Sequence, residues 1–316
     1  MDPITQGALG AACAQAVLHN QDRRNAWIAG GLAGMAADLD ILINSPHDPL
    51  LFLLYHRHFS HSLFFIPVGG TLVALALMIF KRFRPHWQFT FLASLIGYAT
   101  HGLLDAFTHY GTVLYWPFTD KRVSWDIISI IDPFFTIPLL LGITWTIINK
   151  KRLGVLIGLA IAGLFLLFNT VQHHRAILAA QTFFEKKHWQ TNRLRVFPKL
   201  ASSTSWRGIA TRNQRFLALN VSVPLTEPAH ASLVADYPLL KGTEIPDYVR
   251  NSPTLLRDLA VFNWFCDGYL ILVNKLPLTL ADGRFLLGEN PAIALWGIQF
   301  LPDAQHVRKL NLINIG

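Results

Sequence analysis

The chain has 316 residues, 52% hydrophobic and only 15% charged, with 27 Lys+Arg against 19 Asp+Glu for a net charge of +8. That composition lies outside the soluble average and excludes an ordinary water-soluble globular protein. The positive charge sits largely in short clusters beside apolar runs, where it orients helices or touches anionic lipid, so membrane lipid and not nucleic acid is the expected partner.

In chain order, Gly7–Leu18 and the Gly- and Ala-rich Ala26–Ile43 predict a helical hairpin, with Gly30, Gly31 and Gly34 allowing close helix approach. Ser62–Phe80 and Phe89–Phe107 have spanning length, and Pro133–Ile148 and Leu153–Asn169 are slightly short for it. The expected fold is therefore a mainly α polytopic membrane bundle of about five to six membrane segments over residues 1–170. Residues 171–316 hold 16 Lys+Arg against 10 acids and predict a small β-rich or α+β soluble domain. It opens with a linking helix, Val171–Trp189, and continues in β-forming runs at Phe216–Pro224, Leu259–Phe265, Tyr269–Val273, Phe285–Leu287 and Ile293–Leu301. Cys13 and Cys266 predict no disulfide, and Met1-Asp2-Pro3-Ile4 lacks the basic start of a signal peptide.

Three basic clusters, Arg23-Arg24, Lys81-Arg82-Phe83-Arg84 and Lys150-Lys151-Arg152, alternate with the apolar segments. If all six segments cross, these clusters share the cytoplasmic side. The histidines and aspartates of the membrane half then collect on the opposite face, which in a bacterial inner membrane is periplasmic, together with residues 171–316.

Ionisable groups in or near a bilayer are costly unless they pair, bind metal or face water. Every acid before Thr170 is an aspartate, so a carboxylate ligand or base there must be Asp. His101, Asp105 and His109 are four residues apart, a spacing that sets all three on one helix stripe about 12 Å long, suited to two ions sharing Asp105. His56, His58 and His61 form an HxHxxH run whose imidazoles suit zinc-type metals either as ligands or behind the ligands. Asp38 and Asp40 end a small-residue helix, where negative charge opposes the helix dipole unless a cation is present. Asp126 and Asp132 are alternative ligands, although Asp132-Pro133 is also a natural helix start.

Met1–Gly10, Asp38–Asp40, the HRHFSHS run His56–Ser62 and the GxxxHxxxDxxTxxGxxxxWP pattern of Gly97–Pro117 together resemble the bacterial membrane-bound metal-dependent hydrolases of the YdjM/YbcI-like family. Trp206-Arg207-Gly208, Phe262-Asn263-Trp264-Phe265 and Asp282-Gly283-Arg284 are similar to the C-terminal domain of its longer members. The resemblance implies an inner-membrane hydrolase distantly related to zinc-dependent phospholipase C. It implies one to three divalent ions, zinc foremost, on Asp38 or Asp40, His61, His101, Asp105 and His109, with His56 or His58 behind them. Where some members carry His this chain has Gln6, a poor zinc ligand, which implies that one metal position is lost or filled by water.

The expected activity is metal-dependent hydrolysis of an ester, a phosphoester of a lipid-like substrate, with Asp40 or Asp38 as the free base. A transporter or metal-handling protein using the same residues, and a non-enzymatic membrane interaction protein, are the rival expectations.

Overall fold

The computed structural model describes residues 1–289 and 292–316. The chain packs as two units, the first formed by Met1–Leu42, His56–His173 and Phe197–Ser203, the second by Ile43–Tyr55, His174–Val196 and Thr204–Gly316.

The first unit is helical: α1 (Pro3–Asp22), α2 (Ala26–Ala36), α4 (Ile66–Leu77), α5 (Trp87–Ala106), α6 (Pro133–Asn149) and the first part of α7 (Leu153–Lys186). The short α3 (Leu51–Tyr55) belongs to the second unit. Asp2 caps α1 through Thr5 N at 3.0 Å, and Pro3 fits its first turn, where an amide hydrogen is not needed. α1, α2 and α5 meet backbone to backbone at glycines: a Cβ on Gly97 would lie 2.1 Å from the Gly30 carbonyl oxygen. Ala12, Leu104, Phe135, Leu139 and Val155 form one buried cluster of this unit, and Ala14, Ala29, Phe83 and Ala93 another.

A bundle of five to six membrane segments is not what forms. Among the described residues α7 is the one helix long and apolar enough to cross a bilayer, and Leu51–His61 with Leu63–Leu77 passes only as a pair bent by 63°. The other apolar runs are cut short or diluted. Ser62 caps a 3-10 turn through Phe65 N at 3.2 Å, so α4 has only 12 residues, about 18 Å against the roughly 30 Å of a hydrocarbon core. α2 has 11 residues, α6 has 17, and α1 and α5 carry buried Gln6, Gln15, Ser94, His101 and Asp105.

Leu153–Asn169 and Val171–Trp189, expected as two helices, are the single helix α7, because nothing between them breaks it. Thr170 bonds back to the Leu166 carbonyl at 2.8 Å, and the buried Gln172 reaches Ser203 O at 3.1 Å.

In the second unit the end of α7 packs on a four-stranded sheet ordered β1 (Arg193–Pro198), β2 (Ser205–Arg212), β3 (Arg215–Ser222), β4 (His230–Pro238), in which β2, β3 and β4 pair antiparallel. Ala176, Ala180 and Phe184 of the helix bury against Trp206, Leu217, Leu219 and Val221. Two further helices, α8 (Asp247–Arg250) and α9 (Pro253–Phe265), precede a second sheet. There β5 (Leu270–Lys275) pairs with β6 (Leu278–Asp282), and β8 (Ile293–Gln299) pairs with β6, β7 (Leu286–Leu287) and β9 (Arg308–Asn314).

The expected runs at Phe216, Tyr269 and Ile293 supply strands β3, β5 and β8, and of Phe285–Leu287 the last two residues form β7 while Phe285 ends a 3-10 turn. Leu259–Phe265 is instead the end of α9. Ser252 caps this helix through Leu255 N at 3.3 Å, Pro253 opens it, and Leu255, Asp258, Phe262 and Phe265 bury one helical face.

Candidate metal centre

α2 ends at Ala36 and tightens into a 3-10 turn, Ala37–Leu42, that carries Asp38 and Asp40. Another short turn, Phe59–His61, carries His61, and the last turns of α5 carry His101 and Asp105. Tyr98 on α5 ties the second turn down by donating its hydroxyl to Ser60 O at 2.9 Å.

Four ligand atoms converge, one each from Asp38, His61, His101 and Asp105. His61 Nε2 and His101 Nε2 are 2.9 Å apart. Asp38 Oδ1 lies 3.3 and 3.4 Å from them, and Asp105 Oδ2 3.3 and 3.6 Å. A tetrahedral zinc with bonds of about 2.0–2.1 Å separates its ligand atoms by roughly 3.3–3.4 Å, so the spacing fits such an ion.

The far side of each ring fixes what faces inward. His101 Nδ1 is 2.5 Å from the Gly34 carbonyl, which can only accept, so Nδ1 carries the proton and Nε2 offers a lone pair. His61 Nδ1 lies 3.2 Å from Asp40 Oδ2, an arrangement that orients imidazoles bound to metal. Two lone pairs and two carboxylate oxygens packed this closely repel one another unless a cation joins them. Asp105 Oδ2 and Gln6 Oε1 are buried and accept no hydrogen bond among the described residues, which also fits a cation-binding site.

Asp40 is engaged on both oxygens. It accepts from His56 Nδ1 at 2.7 Å, Arg57 N at 3.0 Å and Ser60 Oγ at 2.8 Å, besides His61. Burial works to raise its pKa, but the bonds from His56 and His61 prevail and hold it well below the usual carboxylate range. Of the two expected bases, Asp40 or Asp38, Asp40 therefore has both oxygens already engaged. Asp38 is likewise held low, against burial, by His101 and His61, and its side chain is 18% exposed where those of Asp40 and Asp105 are 1% and 0%. A second group of possible ligands, Asp38, Asp40 and His56, shares Asp38 with the first.

His109 is not brought to this cluster. The stripe His101–Asp105–His109 breaks because α5 stops at Ala106: the Ala106 carbonyl accepts from Trp125 N at 2.7 Å and that of Phe107 from Ile127 N at 2.9 Å. These tertiary bonds replace the next helical turn, and the His109 ring stacks on Phe197 with centroids 4.8 Å apart. His58 turns to Asp120, 3.5 Å away, and Asp126 accepts from Ser124 Oγ at 2.8 Å, both apart from the cluster.

Asp132 caps α6 through Phe134 N at 3.1 Å. Burial pushes its carboxyl up from 3.8 to about 6 despite that bond. Between those pH values the folded chain holds a proton that the unfolded chain has released, so its contribution to stability falls as pH rises. Asp132→Asn keeps the cap acceptor and removes the charge. Thermal melts should show it more stable than wild type above pH 6, by on the order of 1–2 kcal/mol, with the gap closing near pH 4.

Three further residues meet the centre: Gln6, Met1 and Arg57. Gln6 Nε2 donates to Asp105 Oδ1 at 3.0 Å and to His101 O at 3.3 Å, so where a ligand was expected to be lost the amide braces one. Met1 N also bonds Asp105 Oδ1. Arg57 adopts a left-handed backbone (φ 61°) that lets its amide reach Asp40 while its buried guanidinium lies 3.5 Å from Asp105 Oδ2 and 5.1 Å from the Tyr110 ring centre. With the Arg57 cation beside it, the Asp105 carboxyl stays well below the usual range, although burial alone would raise it. An arginine flanked by histidines inside an apolar stretch was the available signal.

Over 110 residues the chain is 30% identical to a Bacillus subtilis (strain 168) protein called "Uncharacterized protein YfhP", a match covering 34% of this chain and 32% of the relative. No solved structure matches the chain. Residues 1–176, which contain every residue of the two ligand groups that share Asp38, match the YdjM inner membrane protein family, and the chain belongs to that family.

Proposed function

We propose that this chain is a membrane-anchored metal-dependent hydrolase, in which Asp38, His61, His101 and Asp105 hold a divalent ion of the zinc type and the substrate is a phosphoester of a lipid-like molecule. The observation that carries the reading is the convergence of those four donor atoms, with the His101 ring fixed by Gly34 O and the His61 ring by Asp40. Such an ion supplies Lewis acidity toward water and toward an ester oxygen.

The chain's own groups divide the remaining work. Asp40 aligns His61 and His56, Arg57 and Gln6 brace Asp105, and Asp38, the most exposed of the three carboxylates, is the ligand open to solvent. Asp38, Asp40 and His56 give room for a further ion. Lys150-Lys151-Arg152 directly before α7 favours a cytoplasmic N-terminal end for that helix, which puts the residues after its apolar run outside the cytoplasm.

Elemental analysis of the detergent-purified chain should find at least one zinc-class ion per molecule, lost in His101→Ala. Hydrolysis of bis(p-nitrophenyl) phosphate should disappear with it. Wild type without stoichiometric metal would sink the metal centre. Metal-loaded wild type inert toward phosphodiester and phosphomonoester probes alike would leave the centre standing and overturn the hydrolase.

A further inference from the structure

The second unit holds a groove unconnected with the metal chemistry. Arg175, Ala179, Thr182 and Lys186 on the final turns of α7 recur every three or four residues and so form one stripe, flanked by Leu178 and Phe183, and the start of β4 with His230 closes the other side. The cavity holds about 400 Å³, within the range of small-molecule sites. Its floor is apolar, with Leu178 48% exposed. Its polar lining includes Arg175, Lys186, Lys187 and His230, and among the described residues that line it none carries a carboxylate side chain. The Arg175 guanidinium is steadied by the Glu227 carbonyl at 3.1 Å.

We propose that this groove binds an anionic phospholipid, its phosphate on the lysines Lys186 and Lys187 and an acyl chain along Leu178 and Phe183. A cationic rim over an exposed apolar floor selects a molecule with both negative charge and hydrocarbon, which inorganic phosphate lacks. Location narrows the class further. α7 is also the chain's long apolar helix, and Arg175 follows Phe168, the end of its apolar run, by about 10 Å along the axis, near the depth of the phosphates. From there the stripe leads outward to Lys186, roughly 16 Å farther along the helix, so a lipid whose phosphate sits on Lys186 and Lys187 is held lifted out of the bilayer.

The test is a titration of the detergent-purified full chain with dioctanoyl phosphatidylglycerol, dioctanoyl phosphatidylcholine and inorganic phosphate, adducts being counted by native mass spectrometry. Phosphatidylglycerol should bind at least 10-fold tighter than the other two and release as salt rises. Lys186→Glu/Lys187→Glu, at exposed positions, and Leu178→Trp, which fills the floor, should each weaken it 10-fold or more while circular dichroism stays unchanged. Equal binding of the two lipids, or binding of phosphate as tight as that of phosphatidylglycerol, overturns the proposal. So does loss with the charge reversal but not with Leu178→Trp, which would mark a surface patch of charge only.

Discussion

Gly102→Ala is expected to empty the proposed metal centre while leaving each of its donor side chains in the sequence. Gly102 follows His101 on α5, and a Cβ there would lie 2.0 Å from the carbonyl oxygen of His61 and 3.1 Å from its carbonyl carbon. Both obstacles are backbone, so no rotamer change relieves them. The Phe59–His61 turn must move away, yet it is tied to Tyr98 through Ser60 O and to Asp40 through Ser60 Oγ. His61 Nε2 then leaves its place 2.9 Å from His101 Nε2. Disturbing the groups that orient a ligand commonly costs 10–100-fold in metal affinity, and displacing the ligand itself should reach the upper end of that range. The overpacking adds about 1–3 kcal/mol of destabilisation. Competition with a chelating dye measures the first, and a melting curve the second. A Gly102→Ala protein that keeps wild-type affinity would show that His61 is not a ligand or that its turn moves without cost.

The close approach that makes Gly102 indispensable also marks where sequence reasoning stops. The spacing of His101 and Asp105 is a property of one helix, and both side chains do face the same cluster. Extending the same arithmetic to His109 fails because hydrogen bonds from a segment some twenty residues later end the helix at Ala106. Apolar runs were legible for a similar reason: hydrophobicity is local. Whether a run makes one long helix or two bent pieces depends on caps such as Ser62, which is why α7 emerged longer than expected and α4 shorter. Arg57 shows a third limit. Its type is visible in the chain, but its left-handed backbone and its approach to Asp105 come from contacts with residues far away in sequence.

In the second unit the largest single effect on stability is expected at Asp282. Asp282 and Arg284 are 0% and 3% exposed, and their side chains meet in two bonds, Nε to Oδ1 at 3.1 Å and Nη2 to Oδ2 at 2.7 Å. Asp282 Oδ1 also accepts from Arg284 N at 2.9 Å, which pins the tight turn between β6 and β7. The guanidinium lies against the rings of Phe265 and Phe285, with centroids 5.2 and 4.9 Å away, so α9 contributes to its enclosure. Asp282→Ala removes this buried cation's carboxylate partner and the turn's acceptor, at a cost of about 3–5 kcal/mol in urea denaturation followed by far-ultraviolet circular dichroism. Arg284→Met is the gentler change, since methionine suits the aromatic surroundings, although it leaves a buried carboxylate behind. The double variant Asp282→Ala/Arg284→Met separates two roles for the pair. Recovery of most of the loss would mean that burying two opposite charges together contributes little net stability, the usual result for enclosed ion pairs. A double variant as weak as Asp282→Ala would instead assign the cost to the turn, because the bond from Arg284 N to Asp282 Oδ1 is absent in both and the charge in only one.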